Sequence, residues 1–228
     1  MAVALIVAAG RGERLGANTP KAFIALAGKP MLQWSIDAFR AAGVEHVVVA
    51  VPQGWEPSSD EESSALAGCV VCEGGEQRSH SVRNALEAAG ALADGEPVLV
   101  HDAARPLVTP DLIKGLVEAV SGEGAAHAAI AATAVTDTIK VADVSGDVQS
   151  TLDRSSLRAV QTPQAFKAEV LRAALAQDDS VLAAATDDAA LVEAMGTPVK
   201  LVDAPAENFK VTQPNDIKLA ELLLSERG

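Results

Sequence analysis

Short, unbroken apolar runs alternate with amphipathic segments along most of the chain, which predicts alternating strands and helices. The apolar runs predict strands at Val3–Ala8, Val47–Val51, Val70–Cys72, Pro97–Val100, His127–Ala132 and Val199–Val202. Apolar residues spaced three and four positions apart predict helices at Met31–Ala42, Ser79–Ala89, Pro110–Val120, Lys167–Ala176, Thr186–Met195 and Pro214–Leu224. Because the strands are apolar throughout, we expect an α/β fold with a mostly parallel sheet covered by helices on both faces.

The stretch from about 134 to 160 interrupts this alternation. Its polar and apolar residues alternate around a Ser-Gly-Asp turn at 145–147, which is typical of a β-hairpin. Because the stretch is too polar for a core, we expect an arm that projects from a single domain comprising residues 1–228.

Composition and charge exclude several functional classes. The chain has 228 residues, is 49% hydrophobic and carries a net charge of −13, without a visible basic face for nucleic acid. Its apolar runs are shorter than the roughly 18–20 residues that span a bilayer. Its apolar start lacks the basic segment of a signal peptide. We therefore expect neither a nucleic-acid nor a membrane partner.

The two cysteines, Cys69 and Cys72, have the spacing CxxC. Such a pair is a redox centre, half of a zinc site, or two small buried side chains. We favour the third interpretation, because residues i and i+3 of a strand face opposite sides and a zinc site needs four ligands. The protein is then expected to be reduced and cytoplasmic.

Four polar stretches follow predicted strands, where ligands bind in open α/β sheets. They are GRGERLGANTPK after the first strand, GGEQRSHS after the third, HDAARP after the fourth and NFKVT after the last. Since parallel strands end at the same edge of a sheet, these stretches are expected to converge.

The first stretch combines glycines with positive charge. Gly10 and Gly12 allow backbone N–H groups to approach a ligand, while Arg11, Arg14 and Lys21 supply cations. Its spacing matches neither the dinucleotide fingerprint nor the Walker motif. We interpret it as a polyphosphate cradle, the alternative being a solvated loop.

The second stretch is a weaker signal. Gly74 and Gly75 would admit a flat base against the backbone, with Ser81 hydrogen-bonding nearby. An ordinary turn before a helix explains the same residues.

Asp102 in HDAARP follows an apolar strand and is expected to point into the cleft. A carboxylate beside phosphates is repulsive unless a cation lies between them, and Mg²⁺ is the natural bridge. Alternatively, Asp102 caps the next helix or pairs with Arg105. His101 is expected to be structural rather than a catalytic base.

The combination AAGxGxRLG…PKxF, GGxxRxxSV, VHDAARP, DTIK, DR…QTPQAF, TDD and NFKVT runs in order from residue 3 to about residue 220. It resembles the 2-C-methyl-D-erythritol 4-phosphate cytidylyltransferases of the non-mevalonate isoprenoid pathway. The resemblance implies a Rossmann-like nucleotidyltransferase fold and a homodimer interlocked by the arm. It also implies transfer of CMP from CTP to a sugar-alcohol phosphate with a divalent cation, Mg²⁺.

The resemblance also assigns residues. It places the catalytic cations at Arg14, Lys21 and Lys210. Contacts to the nucleotide fall at Ala8, Ala9, Gly75, Glu76 and Ser81. The substrate and metal centre falls at Asp102 and Arg105, and acceptor contacts from the arm of the partner subunit fall at Thr138 and Arg154.

Two positions depart from the family pattern. Ala22 stands where the family usually has glutamine, outside the expected phosphate contacts, and Glu76 stands where aspartate is common. The second change leaves nucleoside selectivity open. Three other functions remain as alternatives: a ribitol-5-phosphate cytidylyltransferase, a sugar-1-phosphate nucleotidyltransferase and a non-catalytic nucleotide-binding protein.

Overall fold

The structure is a computed structural model that describes residues 1–10 and 20–227. In these residues the strands are β1 (Val3–Val7), β2 (Ala25–Leu26), β3 (Lys29–Pro30), β4 (His46–Val51), β5 (Val70–Glu73), β6 (Pro97–Asp102), β7 (Ala128–Ala134), β8 (Lys140–Ala142), β9 (Val148–Thr151), β10 (Arg158–Lys167) and β11 (Val199–Asp203). The helices are α1 (Met31–Ala41), α2 (Asp60–Ala65), α3 (Arg78–Ala88), α4 (Pro110–Val120), α5 (Ala168–Leu175), α6 (Asp179–Ala184), α7 (Asp188–Ala194) and α8 (Pro214–Ser225).

A seven-stranded sheet in the order β11-β7-β10-β6-β1-β4-β5 forms the centre of the described chain. β1 pairs in parallel with β4 and β6, β4 pairs in parallel with β5, and β11 pairs in parallel with β7. Only β10 is antiparallel to its neighbours in this sheet. The mostly parallel α/β fold is confirmed, and the carboxyl ends of the other strands meet at one edge.

Alternate residues of the strands pack into two hydrophobic cores, one on each face of the sheet. Ala4 and Ile6 of β1 pack on the face that α1 and α4 cover. Val3 and Leu5 pack on the opposite face, with α3, α5 and α7. This is the consequence of side chains alternating across a strand while both faces are buried. The prediction of helices on both faces is therefore confirmed.

The strand β10 was missed by the sequence analysis, and its first residues fall inside the range predicted for the arm. The reason is Pro163, because proline lacks a backbone donor and argues against a central strand. Here it lies where the ladder is irregular: pairing with β7 shifts register between Val160 and Gln164, and pairing with β6 begins at Gln164. The short helices α2 and α6 were also missed.

The predicted hairpin is present as β8 and β9, joined through the Ser-Gly-Asp turn. Gly146 in that turn has φ of +89°, a backbone conformation that favours glycine. Side chains of both strands are exposed throughout. Their exposure matches the prediction of a projecting arm.

Cys69, directly before β5, and Cys72, within β5, are free thiols that pack toward different core clusters. Burial raises the pKa of both thiols, which suits small packed side chains rather than a reactive pair. Among the residues that the structure describes, none of the helices combines the length and apolar character needed to cross a membrane.

Candidate active site

A cavity of about 780 Å³ opens at the carboxyl-end edge of the sheet. Its described lining is Val7, Ala8, Ala9, Gly10, Lys21, Ala22, Pro52, Gln53, Gly74, Gly75, Glu76, Gln77, Arg78, Ser81, Asp102, Ala103, Ala104, Lys210 and Thr212. Segments far apart in the sequence thus meet where parallel strands end, as the sequence analysis predicted.

The first wall is the continuation of β1. The backbone N–H of Ala8 donates to Ala50 O at 2.8 Å, so the chain keeps its place in the sheet beyond Val7. The backbone N–H of Lys21 donates to Gly10 O at 3.4 Å, and a short 3-10 turn begins at Lys21. These contacts bring Lys21 back beside Gly10 at the cavity.

The second wall is the glycine turn between β5 and α3. Gly74 N–H donates to Val51 O at 2.7 Å, and Gly75 N–H donates to Ser81 Oγ at 3.1 Å. A Cβ on Gly74 would lie 2.5 Å from Ala9 Cβ, and a Cβ on Gly75 would collide with the side chain of His80. Both glycines are therefore sterically required, and Ser81 lines the cavity while its hydroxyl holds this turn.

Asp102, the last residue of β6, lies on the cavity wall between two cations. Its Oδ1 accepts from Arg78 Nε at 2.9 Å, and its Oδ2 accepts from Lys210 Nζ at 2.7 Å. Burial alone would raise the pKa of Asp102, but the charges and hydrogen bonds of Arg78 and Lys210 hold it well below its usual range. The carboxylate is therefore ionised and fixes both cations.

The two alternative interpretations of Asp102 are corrected by these contacts. The following helix, α4, is capped by Thr109, whose side chain accepts from the backbone N–H of Leu112. Arg105 Nη1 donates to Asn208 O at 2.9 Å, whereas the ion-pair partners of Asp102 are Arg78 and Lys210. Arg105 therefore lies next to the cavity without appearing in its described lining.

Arg78 is a functional candidate that the sequence analysis did not single out. Besides Asp102, it contacts Asp188 at the start of α7, with 2.7 Å between Nη1 and Oδ2. Burial raises the pKa of Asp188 despite the opposing charge of Arg78. Both residues were visible as the arginine of GGxxRxxSV and the last residue of TDD, but only the fold shows that they meet.

His101 directly precedes Asp102 in β6 and is fully buried. Its Nε2 lies 3.2 Å from the carbonyl of Arg105, which accepts only, so Nε2 carries the proton. Nδ1 then accepts from the Thr162 hydroxyl, which in turn accepts from the backbone N–H of Asp102. Burial lowers the pKa of His101 to about 3, so the ring is neutral and structural, as expected.

The segment that carries Lys210 is held by the sheet and by α8. Asn208 is buried and donates to Gln161 Oε1 at 2.8 Å and to Thr162 O at 2.9 Å. Asp216 in the first turn of α8 accepts from the backbone N–H and the hydroxyl of Thr212. Lys210 therefore projects from an anchored segment, although its side chain is 43% exposed.

The structure places the remaining predicted residues in three groups. The predicted residues that line the cavity are Ala8, Ala9, Gly10, Lys21, Gly75, Glu76, Ser81, Asp102 and Lys210. Ala22, which stands where the family usually has glutamine, lines the cavity as well. Thr138 and Arg154 are exposed on the arm. Gly12 and Arg14 lie outside the described residues.

The residues around Asp102 fit a metal ion that takes most of its ligands from substrate phosphates. The described residues contain no cluster of three or more His, Cys, Asp or Glu side chains suited to a metal. Mg²⁺ needs only one or two carboxylates when substrate phosphates and water complete its shell. Each oxygen of Asp102 retains a second lone pair beside its cation contact.

A glycine turn, Lys21, Lys210 and Asp102 lie around a cavity at the strand ends of an α/β sheet, an arrangement that fits a nucleotidyltransferase. The comparisons with known proteins narrow this class. The family model for 2-C-methyl-D-erythritol 4-phosphate cytidylyltransferase matches residues 2–226. The chain therefore belongs to the 2-C-methyl-D-erythritol 4-phosphate cytidylyltransferase family.

Individual relatives agree with this assignment. A 2-C-methyl-D-erythritol 4-phosphate cytidylyltransferase from Nocardia farcinica is 46% identical over 228 residues, covering 99% of this chain and 95% of the relative. The crystal structure of the enzyme of that name from Thermus thermophilus has a TM-score of 0.80 at 37% identity, with 99% of this chain and 100% of that chain covered.

The reaction follows from the family. The chain transfers CMP from CTP to 2-C-methyl-D-erythritol 4-phosphate, giving CDP-methylerythritol and pyrophosphate in isoprenoid precursor biosynthesis. The comparisons support this activity and not the ribitol-phosphate or binding-only alternatives.

Proposed function

We propose that the cavity at the strand ends is where the chain carries out this CMP transfer. The single observation that supports the site is the meeting of Lys21, Asp102 and Lys210 with the Gly74–Gly75 turn around one cavity. These groups come from four separate parts of the chain and match the demands of a polyanionic nucleotide. Arg14, which lies outside the described residues, is proposed as a further phosphate cation.

The chemistry demands charge stabilisation more than a base. An oxygen of the acceptor's phosphate forms a bond to the α-phosphorus of CTP, and the bond from that phosphorus to the bridging oxygen of pyrophosphate breaks. Since the second pKa of a phosphate monoester is about 6, this nucleophile is already anionic at neutral pH. Neutral, buried His101 agrees with a mechanism that needs no histidine base.

Lys21 and Lys210 are proposed to neutralise the phosphates as negative charge develops on the leaving pyrophosphate. Phosphoryl transfer is catalysed mainly by positioning and by preorganised charge of this kind. Asp102 holds Lys210 in place, because Nζ lies 2.7 Å from Oδ2. The nucleotide base is proposed to lie against Ala8, Ala9 and the glycine turn.

Asp102 is also proposed as the protein ligand of Mg²⁺, which would neutralise phosphate charge when bound. The remaining ligands would come from substrate phosphates and water, since Mg²⁺ is commonly held by one or two protein carboxylates. Arg105, beside this centre, is proposed to contact the acceptor.

We propose further that residues 1–228 form one domain and that the arm at about 134–160 joins two copies as a homodimer. Val144 and Val148 on the hairpin are 107% and 62% exposed, a surface that a second copy would cover. Arg154 Nη1 donates to Thr136 O at 2.6 Å at the base of the arm. Thr138 and Arg154 would then reach the acceptor in the partner's cavity.

The free cysteines and the net charge of −13 support a reduced, cytoplasmic protein without nucleic-acid partners.

The site assignment is tested by pyrophosphate release from CTP and 2-C-methyl-D-erythritol 4-phosphate. Lys210→Ala should lower kcat about 10²–10³-fold, the effect of removing one preorganised charge donor. Lys200→Ala on exposed β11 is the matched control and should turn over like the wild type. Normal turnover by Lys210→Ala would show that this wall of the cavity takes no part in the reaction.

A further inference from the structure

Four side chains of alternating charge connect α7 with the cavity, and we name them the charge row: Asp188, Arg78, Asp102 and Lys210. Asp188 Oδ2 accepts from Arg78 Nη1 at 2.7 Å. Arg78 Nε donates to Asp102 Oδ1 at 2.9 Å, and Asp102 Oδ2 accepts from Lys210 Nζ at 2.7 Å. Asp188, at the buried end, is therefore linked through Arg78 and Asp102 to Lys210, a proposed catalytic cation.

The two ends of the charge row differ in exposure. The side chain of Asp188 is 0% exposed and that of Lys210 is 43% exposed. Asp188 lies in the wall behind Arg78 and is absent from the described cavity lining. Among the described lining residues, Asp188 forms its ion pair with Arg78.

The buried end of the charge row is poorly optimised for stability. Within the part of the chain that the structure describes, Asp188 Oδ1 and Arg78 Nη2 are both buried and have no hydrogen-bond partner. Burying a carboxylate with one oxygen unsatisfied is costly, and buried ion pairs are often no more stabilising than apolar replacements. The contact between Asp188 and Arg78 does, however, restrain a guanidinium whose other ion pair among the described residues is with Asp102.

We propose that Asp188 is a positioning residue for CMP transfer: it holds Arg78 against Asp102 and thereby fixes where Asp102 presents the Lys210 ammonium. An arginine suits the middle of the charge row because its planar fork offers separate nitrogens to two carboxylates. The proposal rests on the catalytic role proposed for Lys210.

The test is a double-mutant cycle with Asp188→Asn and Lys210→Ala, read by pyrophosphate release. In the wild-type background, Asp188→Asn should lower kcat about 10- to 100-fold, as displaced supporting contacts do, while KM for either substrate changes less. In the Lys210→Ala background the same substitution should change kcat less than about threefold, because residues that act through one another are not additive.

Asp187→Asn is the matched control. Asp187 precedes Asp188 and caps α7, with Oδ1 accepting from Ala190 N–H at 2.9 Å. Asparagine also caps helices well, so the control disturbs the same helix start without touching Arg78. Its kcat should stay within about twofold of the wild type, a change worth less than about 0.5 kcal/mol.

Each outcome decides something different. A drop in kcat that is equal in both backgrounds, or equal in Asp187→Asn, would overturn the positioning role and leave the catalytic role of Lys210 intact. Wild-type turnover by Lys210→Ala would instead overturn the proposed site itself. If Asp188→Asn does not fold, Arg78→Lys takes its place in the cycle, since lysine keeps the charge but not the fork, and the same non-additivity is expected.

Discussion

The cavity and the arm differ in how many contacts their side chains make within the chain. At the cavity, Asp102 is 8% exposed and its carboxylate has partners from α3 and from the segment before α8. On the arm, the strands β8 and β9 are exposed along their whole length and carry valines on the surface. The contacts that position Asp102 thus come from within one chain, whereas the arm presents apolar side chains that the proposed second copy would cover.

The strongest test of the cavity is Lys21→Ala. We expect the variant to fold and kcat to fall about 10²–10³-fold, about 3–4 kcal/mol in transition-state stabilisation. Pyrophosphate release measures the loss, and Lys114→Ala on the exposed side of α4 is the control that should leave it unchanged. Near-normal turnover of Lys21→Ala would exclude Lys21 from the proposed catalytic cations.

The arm is tested by mixing two inactive variants, Lys21→Ala and Arg154→Ala. If Arg154 serves the neighbouring subunit, each mixed dimer holds one intact site, and an equal mixture should recover about a quarter of wild-type activity. Subunit exchange is verified by mass spectrometry before the assay. Exchange without recovery would show that each site is built from one chain.

The packing of the cavity is tested by Gly74→Ala. The added Cβ would lie 2.5 Å from Ala9 Cβ and 3.2 Å from Val51 O, so the free energy of unfolding should fall by about 1–3 kcal/mol. KM for CTP should rise, because Ala9 lines the cavity. Gly115→Ala in α4, where a Cβ meets nothing within 4 Å, should instead be neutral or stabilising in urea unfolding.

A pH dependence tests the buried support behind Asp102. The pKa of His101 is about 3 in the folded protein, below its ordinary value of 6.5, so only the unfolded chain gains this proton between those pH values. Stability from the neutral ring is therefore lost as pH falls below about 6.5, by about 2 kcal/mol between pH 7 and pH 5.

His101→Asn removes this titration while keeping a hydrogen-bonding side chain. In urea unfolding, the wild type should lose about 2 kcal/mol more than the variant over the same pH interval. Equal losses would show that the folded protein binds the proton as readily as the unfolded chain.

The sequence predicted the features that depend on local pattern. The apolar runs at β1, β4 and β6 identified the parallel sheet. The strand ends then indicated which polar stretches converge, because parallel strands share one carboxyl edge.

What the sequence did not predict depends on contacts between distant residues. β10 was missed because Pro163 argues against a central strand, although it lies at an irregularity in the ladder. The contact between Arg78 and Asp188 joins residues 110 positions apart, and nothing in either local segment identifies the partner. The partners of Asp102 were likewise decided by packing rather than by its neighbour Arg105.

A crystal structure with bound CTP tests the central claim most directly, since it locates the triphosphate relative to the lysines from separate strand ends. We predict phosphate oxygens about 2.7–3.2 Å from both Lys21 Nζ and Lys210 Nζ, with cytosine against the Gly74–Gly75 turn. A nucleotide bound with its phosphates away from both ammonium groups would contradict the account.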